Sequence, residues 1–309
     1  VRGMQARDFD DSPLPGAPSY PGAVEPLRHR WVRSGDLRVH VAEWGRESDP
    51  PLVLCHGFWD HARGFATLAP LLADAGYRVC AVDVRGHGDS DWAHTYFWWG
   101  WVGDVVRVIE SLDREVAVIG HSFGGGVAVD TAVVLPQRVR KVVNIDGFGP
   151  PPDDATVAPV PERLENFLDL RRKLTMRPDW KPYPSLADLI ARRGAQNPRL
   201  SPQWLQYFVF HAARQTEAGW IWKADLQMTG GAGPWKPDFV ALSYAALEVP
   251  LLAIEGTEDD TWGPMDDAIV APRLARAPDV TRCRVAGAGH FVHMEKPRET
   301  AAAILDFIG

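Results

Sequence analysis

The chain has 309 residues, enough for one large domain with an insertion, and its 46% apolar and 24% charged residues are ordinary for a globular protein. A net charge of −7 with no basic run excludes a nucleic-acid footprint, so nucleic acid is not expected as a partner. No stretch approaches the ~20 apolar residues of a membrane helix. Residues 1–22 also lack an apolar signal core, so the expectation is a cytoplasmic chain without a membrane span.

Residues 1–26 are rich in Pro, Gly and Asp and read as a flexible arm, although the same composition would suit a segment lying over the domain surface. HRWVRSGDLRVHVAEWG then alternates apolar and polar residues about a Ser-Gly-Asp turn, which predicts an antiparallel hairpin. Buried strands are expected at 51–57, 77–83, 115–120 and 140–147, with helices at 61–75, 97–112 and 122–135 between them. Near-continuous apolar strands separated by helices imply an α/β chain whose mostly parallel sheet is covered on both faces. Three cysteines, Cys55, Cys80 and Cys283, fall in strand-like runs, which fits buried thiols in a reducing compartment.

The rhythm breaks at a proline-rich connector, with Pro150, Pro151, Pro152, Pro159 and Pro161. Helical patterns follow at 161–174, 185–194 and 201–213, with no buried strand among them. Strands return at 249–256 and 280–287, and a last helix is expected at 297–308. The reading is a core of 27–149 and 237–309, interrupted by a helical insertion at 150–236.

Gly120-His121-Ser122-Phe123-Gly124 matches G-x-S-x-G between a predicted strand and a predicted helix. A serine on so sharp a turn needs glycine on either side, and the turn presents its hydroxyl above the sheet edge. The Phe123 N–H, at a helix N-terminus, points into the same space. His56-Gly57-Phe58 ends an earlier strand and offers the Phe58 N–H as a second oxyanion donor. His290, in Gly287-Ala288-Gly289-His290-Phe291 after the last strand, is the candidate base; His293 is a weaker rival. The acid that orients the imidazole is assigned to Asp259 in IEGTEDD, with Asp146 in NIDG as the alternative.

HGF, DVRGHGDS, GHSFGG, GTEDD and GAGHF together resemble the α/β-hydrolase superfamily, and in particular its capped, serine-hydrolase-like esterases. The resemblance covers about 28–148 and 238–308. It implies the α/β-hydrolase fold, a catalytic triad of Ser122, His290 and Asp259 (or Asp146), and an insertion acting as a lid. It also implies that Asp83, Arg85 and His87 are scaffold. The serine elbow departs from the aspartate of epoxide hydrolases and haloalkane dehalogenases, and HGF departs from the HGGG of other lipases.

Of the 13 tryptophans, many cluster at 92–101 and in the insertion. With Trp59, Phe291 and Trp204 they suggest an apolar or aromatic acyl pocket. The expected partner is a small-molecule acyl substrate. No cofactor is expected, because no G-x-G-x-x-G joins a strand to a helix, and no metal, because no H-E-x-x-H pattern occurs. The resulting expectation is a serine esterase. A carbon–carbon hydrolase of ring-cleavage products, a perhydrolase, and a ligand-sensing receptor with a retained triad stand as alternatives.

Overall fold

The computed structural model describes residues 16–150, 159–176, 179–230 and 238–309. Residues 1–15 of the arm expected at 1–26, part of the proline connector and Trp235 lie outside these residues. Eight strands form one sheet: β1 (Arg28–Ser34), β2 (Leu37–Trp44), β3 (Pro51–Cys55), β4 (Arg78–Asp83), β5 (Val116–His121), β6 (Val139–Ile145), β9 (Leu251–Gly256) and β10 (Val280–Val285). Their order is β1-β2-β4-β3-β5-β6-β9-β10. β1 and β2 make the expected antiparallel hairpin, β2 meets β4 antiparallel, and every later pairing is parallel.

The apolar runs behave as read: β3, β4, β5 and β9 are buried along their whole length. One face is covered by α2 (Trp98–Glu110), α3 (Phe123–Val134), α7 (Asp238–Ala245) and α8 (Asp267–Leu274), through side chains such as Val105, Val127, Tyr244 and Leu274. The other face is covered by α1 (Ala69–Asp74), α9 (Val292–Glu295) and α10 (Pro297–Ile308), through Leu72, Val292 and Ile304. Parallel strands bring the C-terminal ends of β3, β5, β6 and β9 to one edge, where such sheets hold their ligands.

Three local readings are revised. The helix expected at 61–75 is a 3₁₀ turn at Ala62–Phe65 followed by α1, which begins next to Pro70. Helices α7 and α8 add to the expected elements; DFVALSYA lacks an amphipathic stripe, and α8 carries Pro272, so neither has a helical signature in the sequence. The insertion is not all helical. It contains α4 (Val160–Met176), α5 (Leu186–Gln196) and α6 (Pro202–Ala212), then a small hairpin of β7 (Ala213–Thr216) and β8 (Gly219–Trp222). These four-residue strands are only partly buried, so they lack the apolar run of a core strand.

The described part of the N-terminal arm lies on the domain. Trp44 donates its indole N–H to the Val24 carbonyl at 2.8 Å, and the Val24 amide donates to Ala66 at 3.0 Å. Tyr20 packs edge-on against Trp204. The described helices include none long and apolar enough to cross a membrane. Cys55 and Cys80 are buried free thiols, and Cys283 is half-buried on the edge strand.

Candidate active site

Among the described residues, the non-glycine residues with a positive φ are Trp59 (65°), Ser122 (53°) and Asp146 (50°). They follow β3, β5 and β6 at the same sheet edge. Left-handed backbone is costly for residues with a Cβ and persists where the surroundings enforce it, most often at functional sites.

At Ser122 the enforcement is visible. The Ser122 amide donates to Ile145 at 2.9 Å, and the Ser122 carbonyl accepts from Gly125 at 2.9 Å. A Cβ at Gly120 would collide with the Gly124 carbonyl, and one at Gly124 with the carbonyls of Cys55 and His56. The elbow therefore seats directly on β3. Phe123 opens α3, so its amide has no carbonyl one turn back within the helix. The Phe58 amide finds no backbone acceptor among the described residues. The Phe58 and Phe123 rings meet edge to face at 5.4 Å. Gly57, just before Phe58, leaves room for its neighbours, because a Cβ there would press on His121 and Asp60.

His290 is nine-tenths buried, and its Nδ1–H donates to Asp146 Oδ2 at 2.6 Å. The acid assignment of the sequence reading is thereby corrected: the carboxylate on the imidazole belongs to Asp146, and Asp259 is exposed. After β9 the amides of Thr257 and Glu258 both bond to the Ala288 carbonyl, and the loop turns Asp259 out to solvent. Asp146, by contrast, is pinned by its own amide on Ile254 of β9 at 2.8 Å. A Cβ at the next residue, Gly147, would strike the Ser122 carbonyl, so the turn after β6 packs against the elbow. Burial raises the Asp146 carboxyl above its ordinary range, and the hydrogen bond from His290 opposes that rise. The neighbouring Asp260 accepts the His290 backbone amide at 3.3 Å.

His121, inside the elbow motif, packs against His290. It is buried, its Nε2–H donates to the His290 carbonyl at 3.0 Å, and its ring tilts against His290 at 4.8 Å. His293, the rival base, is buried beneath it, with ring centroids 4.4 Å apart.

A cavity of about 500 Å³ opens over these groups and is lined by Ser122, His290, Phe58, Trp59 and Phe291 of the core. Trp180, Arg192, Trp222 and Leu226 of the insertion form part of its wall, with Trp262 from the loop after β9. Trp204 does not line it: the ring is buried in a separate cluster, stacked on Tyr207 and donating to the Met294 sulfur at 3.2 Å. Trp180, Trp222 and Trp262 follow no motif, so the sequence does not single them out among its tryptophans as ones that face the cavity.

Polar contacts tie the insertion to the core beside the cavity. His61 donates to the Phe208 carbonyl at 3.0 Å, and Arg193 pairs with Asp60. In DVRGHGDS, Asp83 accepts from the Ala62 amide, the Asp89 amide and His40, and Arg85 pairs with the buried Asp104. His40, Asp83 and Asp89 bring three ligand-type atoms within 4.8 Å of one another. Asp83 is held by a hydrogen bond to His40 at 2.7 Å and Asp89 by an ion pair with Lys223 at 2.8 Å, so these groups partner one another internally.

Burial holds the imidazoles of His61 and His293 near pKa 4 and 3, and that of His121 well below its ordinary value. Below pH 6.5 the unfolded chain takes up protons that these folded sites refuse. Each such histidine should therefore cost about 1 kcal/mol of stability per pH unit down to its folded pKa. The raised carboxyls of Asp146 and Asp130 act in the opposite sense but are fewer. The melting temperature is expected to fall between pH 7 and pH 4.5; a flat or rising profile would contradict neutral burial of these rings.

A family model described as "Alpha/beta hydrolase family" matches residues 52–303. The chain is 30% identical over 295 residues to a serine hydrolase-like protein of Danio rerio, covering 89% of this chain and 85% of that one. It is 29% identical over 288 residues to a 3-hydroxybutyrate-oligomer hydrolase of Cupriavidus necator, covering 89% and 94%. A solved thioesterase domain from the curacin biosynthetic pathway superposes with a TM-score of 0.78 at 21% identity, covering 90% of this chain and 98% of that one, a likeness of fold.

Proposed function

This chain belongs to the alpha/beta hydrolase family, and from that premise we propose that it is a serine hydrolase cleaving carboxylic esters or related acyl compounds through an acyl-enzyme on Ser122. The observation that carries the reading is the left-handed Ser122 facing the same cavity as His290, whose other ring nitrogen is fixed by Asp146.

His290 Nε2 takes the Ser122 hydroxyl proton as Oγ bonds to the acyl carbon, and the carbonyl electrons move onto oxygen. The Phe58 and Phe123 amides hold that oxyanion. As the carbon–oxygen bond to the leaving alcohol breaks, the imidazolium returns its proton to the alcohol. Water then repeats the sequence on the acyl-enzyme, losing its proton to His290 and releasing the acid and free Ser122. Asp146 keeps the Nδ1–H tautomer and offsets the charge on the imidazolium. Residues 150–236 act as a cap whose Trp180 and Trp222, with Trp59 and Trp262, form an apolar acyl pocket. The Cupriavidus necator relative, by its name, hydrolyses an oligomeric hydroxy acid, which is an ester chemistry of this class.

Hydrolysis of 4-nitrophenyl esters from acetate to decanoate tests this. With about 0.8 kcal/mol per buried methylene, kcat/KM should rise about fourfold per added CH₂ until the chain outgrows the cavity. Turnover that ignores chain length would contradict the apolar pocket, and absence of turnover on every ester would contradict the esterase reading.

A further inference from the structure

The cavity is mostly aromatic, but it is not uncharged. Asp60, Arg192 and Arg193 are its ionisable side chains apart from the histidines. Asp60 and Arg193 neutralise each other, and the Arg193 guanidinium is further covered by the Phe208 ring at 5.0 Å. Arg192, the preceding residue on α5, is different. It is exposed at the cavity, and no side chain among the described residues forms an ion pair or hydrogen bond with it. Gln196 lies one turn further along the same helix face and also lines the cavity. The cavity wall therefore holds an uncompensated guanidinium with an amide donor beside it.

A planar fork of N–H donors fits a carboxylate, with two parallel charge-assisted hydrogen bonds. We propose that Arg192, assisted by Gln196, binds an ionised carboxylate on the acyl part of the substrate, so that the preferred substrates are monoesters of dicarboxylic acids or other acyl compounds bearing a second acid group. The proposal rests on the hydrolase reading and narrows its substrate class. Arg192 does not touch the reacting atoms; it selects and places the substrate.

The test compares a matched pair, mono-4-nitrophenyl adipate and 4-nitrophenyl hexanoate, which differ by a terminal carboxylate. For the unaltered chain, kcat/KM for the adipate should exceed that for the hexanoate by about tenfold, the low end for a charge-assisted hydrogen bond because Arg192 is partly solvated. Arg192→Gln should bring the ratio close to one, Arg192→Lys should keep part of it, and added salt should reduce it. An unaltered chain with no adipate preference, or a preference that survives Arg192→Gln, overturns the proposal. Calorimetric binding of the adipate monoester to Ser122→Ala, with and without Arg192→Gln, separates the two readings. Binding that needs Arg192 without turnover of either ester would remove the hydrolase reading and keep the anion site. Serine-dependent turnover without adipate preference would do the reverse, and neither binding nor turnover would overturn both.

Discussion

Replacing Ser122 by Ala is expected to lower kcat for 4-nitrophenyl ester hydrolysis by about 10^4- to 10^6-fold, with KM little changed. The size follows from what is removed. Ser122 supplies the only proposed covalent partner of the acyl group, and His290 has no other hydroxyl to activate in the proposed mechanism. The remaining rate is what the Phe58 and Phe123 amides and the apolar cavity give to direct attack by water. The substitution keeps the Cβ and so keeps the left-handed turn enforced by Gly120, Gly124 and the bond from the Ser122 amide to Ile145. The melting temperature should therefore stay within a few degrees. A variant that keeps more than a hundredth of the activity, while folded, would place the chemistry elsewhere.

Asp146→Asn is expected to lower kcat by about 10^4-fold, whereas Asp259→Asn should leave it within twofold. An asparagine at 146 is isosteric with the aspartate but neutral. It can offer His290 Nδ1 an N–H, which favours the wrong tautomer, and it cannot offset the imidazolium. The buried, left-handed position of Asp146 supplies a second reason, since few other groups can reach the ring at 2.6 Å. The rate of fluorophosphonate labelling at Ser122 should fall in parallel, because activation of the nucleophile is the step impaired. If Asp259→Asn abolished activity and Asp146→Asn did not, the acid would have to reach His290 from the loop after β9, and the geometry described here would not be the working one.

The difference between those two aspartates shows where the sequence could be read and where it could not. The elbow was legible because its glycines are demanded by contacts within a few residues and one neighbouring strand. His290 was legible because a glycine-flanked histidine after the last strand arrives at the edge that β5 also reaches. The acid was not. Both candidates follow core strands that end at that same edge, and the choice depends on how each loop turns. The bonds of Thr257 and Glu258 to Ala288 turn one loop outward, and the left-handed Asp146 turns the other inward. Neither is visible as a pattern of residue types. The cap was legible as an interruption of strand rhythm, but its small hairpin was not, since its half-exposed strands have no apolar run. Trp204 and Arg192 mark the same limit. Tryptophan content suggested an aromatic pocket, yet Trp204 packs the cap while Trp180 and Trp222 face the cavity. Of two adjacent arginines on α5, only the helical register distinguishes Arg192, open to the cavity, from Arg193, paired with Asp60.

If Ser122 is an activated nucleophile, a covalent label reads this without knowledge of the substrate. The folded chain would be treated with a fluorophosphonate, its intact mass measured, and the modified peptide mapped. One adduct per chain is expected on Ser122, formed at least about 10^3 times more slowly in His290→Ala and absent in Ser122→Ala. An unmodified Ser122 peptide in the folded chain, or an adduct at another residue with equal yield in Ser122→Ala, would contradict it.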